Sequence, residues 1–384
     1  MRRFVRPYPG ASAANRFDPR PTGDPVFMRV VVTGATGNLG SGVLRALSQE
    51  PAVDALVGVA RRPPDAPDAP GAGVEWVRAD VATDDLTDVL RGADALVHLA
   101  WLFQPTHDPV LTWRVNVLGS LAVYRAAAEA GVAAVVHASS VGAYSARPDV
   151  AGDGPDRPVG EDWPTHGWPG AAYTREKAYL ERALDGWEAE HPGTRLVRLR
   201  PSFVFRQEAA VEQRRLFAGP FVPQSLLRPG RLPMLPDIPG LRFQAVHSDD
   251  VGEAVRLAVT GDARGAFNLA GDPVVDMTVL AGLLRARLVR VPAGAARAAL
   301  AAAWHLRLAP AAPGLFDAVL RLPVMDTGRA RDVLGWTPQR SSTEALSSFF
   351  AGLAAPTGPT PALDPDTGGP ARLGEIGSGV GGRP

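Results

Sequence analysis

Tyr173-Thr174-Arg175-Glu176-Lys177 sets a phenol and an ammonium four residues apart, and on a helix that spacing puts both on one face, a turn from each other. A free tyrosine ionises near pH 10 and is a poor base at neutral pH. A cation beside it favours the phenolate, and lowering the pKa by about 3 units takes about 4 kcal/mol of differential stabilisation. The pair suits proton exchange with the oxygen of an alcohol or carbonyl, with Tyr173 as catalytic acid/base and Lys177 as its activator. Lys177 is also the only lysine in the chain; every other Lys/Arg position holds arginine. A composition rich in Ala, Gly, Pro and Arg replaces lysine wherever any cation serves. The survivor is expected where a compact, tunable ammonium is needed and a planar guanidinium does not fit. Upstream, the apolar run Val135–Ala138 leads into Ser139-Ser140-Val141-Gly142. A serine at a strand edge can hydrogen-bond the substrate oxygen while the tyrosine moves its proton. Ser140 is expected in that role, with Ser139 capping the strand end.

A glycine pattern indicates what the pair works with. Thr33-Gly34-Ala35-Thr36-Gly37-Asn38-Leu39-Gly40 follows the apolar run Arg29–Val32 and opens an amphipathic stretch, Leu39 to Leu47. In such a turn the first glycine permits the bend, the second lets backbone approach a pyrophosphate, and the third packs helix on strand. The helix N-terminus adds N–H donors and a positive dipole end. Placed between a first strand and a first helix, the pattern predicts a dinucleotide site on Gly34, Gly37, Asn38, Leu39 and Gly40. The next run, Ala55–Ala60, ends in Arg61-Arg62 with no acid to hold the ribose 2′-hydroxyl of NAD. An arginine there accepts the 2′-phosphate of NADP, so Arg61 predicts NADP in preference to NAD. Arginines merely solvated ahead of Pro63-Pro64 are the competing reading. Asp80, beside Val81, is placed to accept from the adenine amino group, and Leu99-Ala100 end the fourth run beside the cofactor.

These groups need a scaffold. Val74–Val77, Ala95–Ala100, Ala133–Ala138 and Arg195–Leu199 are further short apolar runs, with helical patterns between several of them, notably Arg114 to Ala130 and Ala171 to Glu190. Strands alternating with helices predict an α/β fold with a doubly wound parallel sheet. After Arg206 the alternation fades into a Pro-rich region with scattered helices. The expected organisation is a dinucleotide-binding domain over 28–204 and a smaller C-terminal substrate-binding lobe over 205–354. Phe243–Val259 and Phe267–Leu269 are segments able to return to the main sheet. Residues 1–27 and 355–384 are rich in Pro and Gly and lack periodicity, so both are expected to be disordered. Because the αβ pattern starts abruptly at Met28, the first is read as an extension from an upstream start codon chosen in error, with a transit peptide as the alternative.

Composition narrows the function classes. Lys+Arg and Asp+Glu are 40 each, so no global field attracts nucleic acid or an anionic membrane. There are no cysteines, which removes disulfides, thiolate metal sites and thiol nucleophiles and fits a reducing cytoplasm. The most apolar stretch, Ala295 to Leu308, is short and broken by Arg297, His305 and Arg307, so it is read as a buried or interfacial helix. The seven histidines show no metal-ligand spacing; His98 and His137 fall in strand patterns and are read as core or supporting residues.

Together these features resemble the extended short-chain dehydrogenase/reductase family, the NAD-dependent epimerase/dehydratase group. The resemblance is carried by the glycine turn, Asp80-Val81, Asn116-Val117-x-Gly119, Ser140, Tyr173-x-x-x-Lys177 and Arg200-Pro201. Val246-His247-Ser248-Asp249-Asp250-Val251 and Leu334-Gly335-Trp336-x-Pro338 add to it, and it spans Met28 to Leu346. It implies a Rossmann-type fold, a Ser140/Tyr173/Lys177 triad, Lys177 on the nicotinamide ribose and Pro201 beside the nicotinamide. Two departures bear on the reaction. Family 4,6-dehydratases carry an Asp-Glu pair after the catalytic Ser/Thr, where Val141-Gly142 stand here. Nucleotide-sugar epimerases usually show an asparagine three residues after the arginine aligned with Arg200, where Phe203 stands, and a glycine where Arg206 stands.

The expected function is therefore NAD(P)-dependent oxidoreduction of a small molecule at a secondary alcohol or carbonyl. A sugar-nucleotide epimerase retaining its cofactor is the alternative within the family. A catalytically silent, cofactor-sensing regulator is the alternative outside enzymes, and the intact Tyr173/Lys177 pair argues against it. A homodimer is compatible with this reading. Trp101-Leu102-Phe103-Gln104-Pro105 and Trp163 to Trp168 are expected either to wall an aromatic pocket or to pack loops on the core.

Overall fold

The computed structural model describes residues 27–64, 73–104, 106–147, 157–218 and 227–354. The segments expected to be disordered lie outside these residues, apart from the exposed Phe27. In chain order the described strands are β1 (Met28–Thr33), β2 (Val53–Ala60), β3 (Val74–Arg78), β4 (Ala95–His98), β5 (Ala134–Ala138), β6 (Arg195–Pro201), β7 (Phe203–Phe205), β8 (Met234–Asp237), β9 (Arg242–Phe243), β10 (Ala245–His247), β11 (Gly265–Leu269), β12 (Val275–Asp276) and β13 (Arg287–Arg290). Seven of them make one all-parallel sheet in the order β3-β2-β1-β4-β5-β6-β11.

The apolar runs become strands because both faces of the sheet are covered, which is why they read as continuous rather than alternating. Side-chain direction still alternates. Val30 and Val32 point into one core with Val43, Leu44 and Leu47 of the helix Asn38–Ser48 and Val251 and Val255 of the helix Ser248–Thr260. Val31 points the other way, toward Val123 and Tyr124 of the helix Gly119–Glu129 and Leu180 and Leu184 of the helix Ala172–Glu190. This is the doubly wound, Rossmann-type sheet expected from the sequence. Strand order reverses between β1 and β4, and a crevice for ligands opens at that point, outside the carboxyl ends of the strands.

Beyond β6 the chain builds small pairs: β7 with β10, β9 with β12 and β8 with β13. They enclose a separate core that includes Leu235, Val275, Leu284, Leu346 and Phe350. The same stretch also serves the main sheet. β11 adds to its edge beside β6, and the helix Ser248–Thr260 lies against Asn38–Ser48, where Arg45 meets Asp249 at 2.6 Å. Among the described residues no helix is long and apolar enough to cross a membrane.

Candidate active site

A cavity of about 530 Å³ opens at the switch point. Gly34, Gly37, Asn38, Leu39, Gly40, Arg61, Asp80, Val81, Leu99, Ala100, Ser140, Tyr173, Lys177 and Pro201 all line it. Residues far apart in sequence meet there because each follows the carboxyl end of a parallel strand or faces it from a covering helix.

The cofactor end is shaped by backbone. Gly34 has φ +72°, and a Cβ there would lie 2.6 Å from the Ala100 nitrogen, so the bend and the close approach to the end of β4 both require glycine. Gly37 caps the helix Asn38–Ser48 with no side-chain bond, and a Cβ there would meet only the Gly34 carbonyl, at 3.3 Å. That leaves helix N–H groups accessible from the cavity, a cradle of the kind that fits a pyrophosphate. Asn38 turns its amide to the Val204 carbonyl at 3.2 Å. Arg61 is exposed immediately after β2. Asp80 spends one carboxylate oxygen on the Ala82 N–H, at 3.0 Å.

At the other end the sequence leaves β5 and makes a short turn, Val141–Ala143, that the Ser140 hydroxyl caps by accepting from Gly142 N–H at 3.0 Å. Tyr173 enters in the first turn of the helix Ala172–Glu190 and packs on that turn, where a Cβ on Gly142 would lie 2.8 Å from its ring. Its ring also packs against Trp101 and Phe103, with centroids 5.7 and 4.9 Å away. Burial pushes the Tyr173 phenol up to about 12, opposed by its hydrogen bond with Ser140. Lys177 donates to the Ala138 carbonyl at 2.7 Å, and its Nζ sits 3.5 Å from the centroid of the Trp101 ring. Burial brings its ammonium down to about 7, while Glu181 and Glu176 oppose that shift. The depressed phenol expected from the helix spacing is thus not what this arrangement produces. Aromatic packing desolvates Tyr173, and the contacts of Lys177 are to the Ala138 carbonyl and the Trp101 ring.

Behind the site lies a polar frame. Arg200 holds Glu181 with two bonds, Nε to Oε1 at 2.8 Å and Nη2 to Oε2 at 2.9 Å, and Ser139 donates to Oε1 at 2.6 Å. Tyr144 bridges from Arg200 (2.9 Å) to Asn268 on β11 (2.7 Å). These bonds hold the Glu181 carboxyl below the usual range despite burial, so Ser139 fastens the end of β5 to the helix Ala172–Glu190. Glu176 accepts from Thr112 at 2.6 Å and Asn116 at 2.7 Å. His98 bridges Thr33 and Ser120, at 2.7 and 2.8 Å, and burial lowers it to about 3; His137 is lowered likewise and accompanies Tyr124. Both are neutral core groups. Glu181 supports this frame and is not marked by the sequence motifs, although an acid four residues beyond Lys177 on the same helix face is a visible signal. Trp101, Leu102, Phe103 and Gln104 line the cavity, and Pro105 lies outside the described residues. The second aromatic segment packs elsewhere: Trp163 joins Val141 and Tyr144, and Trp168 stacks under Arg321 at 4.3 Å. Among the described residues no cluster of His, Asp and Glu is fit to hold a metal.

Comparison with known proteins gives one consistent result. The model of the NAD dependent epimerase/dehydratase family matches residues 30–270. A UDP-glucose 4-epimerase of Mycolicibacterium smegmatis is 30% identical over 338 residues, 83% of this chain and 96% of the relative. A 4-hydroxy-2-methyl-3-oxo-4-farnesyl-3,4-dihydroquinoline-1-oxide ketoreductase of Stigmatella aurantiaca is 28% identical over 341 residues, 84% of this chain and 96% of the relative. Among solved structures, a UDP-glucose 4-epimerase from Stenotrophomonas maltophila with bound NAD and formylated UDP-arabinopyranose superposes with TM-score 0.65 and 20% identity, covering 85% of this chain and 98% of that one.

Proposed function

The chain belongs to the NAD-dependent epimerase/dehydratase family, and from that premise we propose that it is an NAD(P)-dependent oxidoreductase acting at a secondary alcohol or carbonyl. The observation that carries this reading is the position of Tyr173, beside Ser140 in the same cavity that the glycine turn lines. The dinucleotide, when bound along Gly34, Gly37 and the helix N-terminus, supplies or accepts a hydride at the reacting carbon. Tyr173 gives its proton to the carbonyl oxygen in reduction and takes it back in oxidation, and Ser140 hydrogen-bonds the same oxygen. Lys177, which lines the same cavity and donates to the Ala138 carbonyl, would hold the nicotinamide ribose and support the phenol by its positive charge. Since the phenol lies at about 12, it is protonated at neutral pH and suited to donate. Reduction should therefore be favoured near pH 7, while oxidation should accelerate as the pH rises.

The test is Tyr173→Phe, which deletes the proton donor. Turnover, followed by nicotinamide absorbance on a panel of ketones, aldehydes and alcohols, should fall by roughly a hundredfold or more, with cofactor affinity retained. Activity near wild type would sink the assignment.

A second reading, a sugar-nucleotide epimerase, is favoured by the M. smegmatis relative. It opposes the first on one measurable point, because an epimerase keeps its cofactor through turnover and a reductase releases it. Mass spectrometry of the purified protein separates them, and release is expected here. The cofactor itself is open to the same treatment. The solved relative holds NAD, whereas Arg61 after β2, with no acid beside it, favours NADP. NADPH should bind more tightly than NADH and Arg61→Ala should narrow the gap; equal affinities in the wild type would remove the NADP preference.

A further inference from the structure

We propose that the substrate of this site is a carbon-rich, phosphate-free ketone or alcohol, seated in an apolar chamber on the far side of Tyr173 from the glycine turn. The proposal rests on the hydride-transfer reading above and specifies what that chemistry acts on.

The chamber is built by elements that the nucleotide end does not use. Leu300 comes from the helix Ala293–His305, Leu315 and Phe316 from the helix Pro313–Val319, and Leu322 from the segment after it; all four line the cavity. On the opposite side Phe103 lies 4.9 Å from Tyr173 and 5.1 Å from Phe217, centroid to centroid. The reactive phenol thus stands at the border between a polar backbone cradle and a wall of aromatic and aliphatic side chains.

A sugar nucleotide brings a second diphosphate, and burying it away from the helix N-terminus that cradles the dinucleotide calls for charged side-chain donors. The cationic side chains on this cavity, among the described residues, are Arg61, Arg62, Lys177 and Arg215. Arg61 and Arg62 follow β2 at the cofactor end, and Lys177 sits between Ala138 and Trp101. Arg215 is the one beside the chamber, and Glu212 takes its fork with two bonds, at 2.9 and 3.0 Å. Gln104 is likewise committed, donating to the Leu216 carbonyl at 2.9 Å and accepting from Thr106 N–H at 2.9 Å. Arg206 turns away to Glu208 (2.9 Å) and Ser41. Phe203 stands in the wall, in aromatic contact with Phe243. What the chamber offers a ligand is apolar surface, and apolar surface selects by carbon content.

The experiment uses the full chain with saturating dinucleotide and compares 2-butanone, 2-octanone and 1-decalone with UDP-glucose. Each buried methylene strengthens binding by about three- to fourfold, so kcat/KM should rise at least about tenfold from 2-butanone to 2-octanone. Leu315→Gln, and separately Leu300→Gln, should cut kcat/KM for 2-octanone by about fivefold or more, with dinucleotide Kd unchanged as the check on folding. UDP-glucose at millimolar concentration should neither bind by calorimetry nor compete. A flat ketone series, or UDP-glucose bound at micromolar concentration, would overturn the proposal while leaving hydride transfer standing. If no ketone or alcohol is turned over although dinucleotide binds, the hydride-transfer reading fails instead. The chamber is then decided by calorimetry alone: binding of 1-decalone supports it and absence of binding overturns it.

Discussion

Lys177 keeps an amine where little water reaches it, and that fact has consequences for both activity and stability. Its neighbours are the Ala138 carbonyl and the Trp101 ring, a space matched to an ammonium. A guanidinium is wider and aims its donors in a plane, and a misplacement of about 1 Å at a reacting group costs roughly a hundredfold in rate. Lys177→Arg should therefore lower kcat strongly with the fold intact, although arginine fills every other basic position; near wild-type kcat would show that only charge is required. The stability consequence follows from the amine being brought down to about 7 from 10.5 by burial. Between those values the unfolded chain binds the proton and the folded chain does not, so this group adds stability as pH rises from about 7 toward 10. Below pH 7 the folded protein carries the full penalty of a buried charge. Lys177→Met should be more stable than the wild type at pH 6, and the difference in Tm should shrink by pH 9. A constant difference would mean that the amine is hydrated. Tyr173, Lys177 and Ser140 were legible because helix spacing and a strand end are local signals. The Glu181–Arg200–Tyr144–Asn268 frame was not, since its partners come from four separate parts of the chain and only the sheet brings them together.

The turn Val141–Ala143 shows how an element fixes the site. It must be tight enough to return Ser140 to the cavity and thin enough to let the Tyr173 ring lie on it. Gly142 meets the second requirement. It is not a residue that sequence alone marks, because Ser-Val-Gly reads as an ordinary strand exit. Gly142→Ala would place a Cβ 2.8 Å from the Tyr173 ring, and either the ring or the turn must shift. The expected result is a fall in kcat of about tenfold or more, with dinucleotide affinity unchanged because the cradle at Gly34 and Gly37 is untouched. An unchanged kcat would place the reacting geometry elsewhere. The aromatic segments make a parallel point. Composition marked Trp101–Phe103 and Trp163–Trp168 alike, but only the first follows a strand at the switch point, and only the first lines the cavity. Hydrophobic pattern identified strands and helices; which aromatic faces a ligand depends on strand order, which the local pattern does not contain.

At the scale of the molecule, the division of the sequence near residue 205 follows the change in pattern, whereas the packing of the main core crosses it. β11 extends the main sheet, the helix Ser248–Thr260 covers it, and Trp336 is buried in the same core as Val30 and Val32. Its indole N–H donates to the Asp250 carbonyl at 2.7 Å. Chain from beyond residue 320 therefore closes the core that carries the glycine turn, and residues 28–204 do not complete that core alone. Unfolding should appear as one transition. Trp336→Ala should lower stability by about 3–5 kcal/mol, whether or not dinucleotide is present, because Trp336 lies in the core and not on the cavity. Dinucleotide at a hundred times its Kd should raise the stability of both wild type and variant by about 2.7 kcal/mol, since it binds the folded state alone. Scanning calorimetry with and without NAD(P) measures all of these quantities together. Two separated transitions, with only the lower-residue-number half responding to dinucleotide, would contradict the single unit and restore the sequence boundary as a physical one.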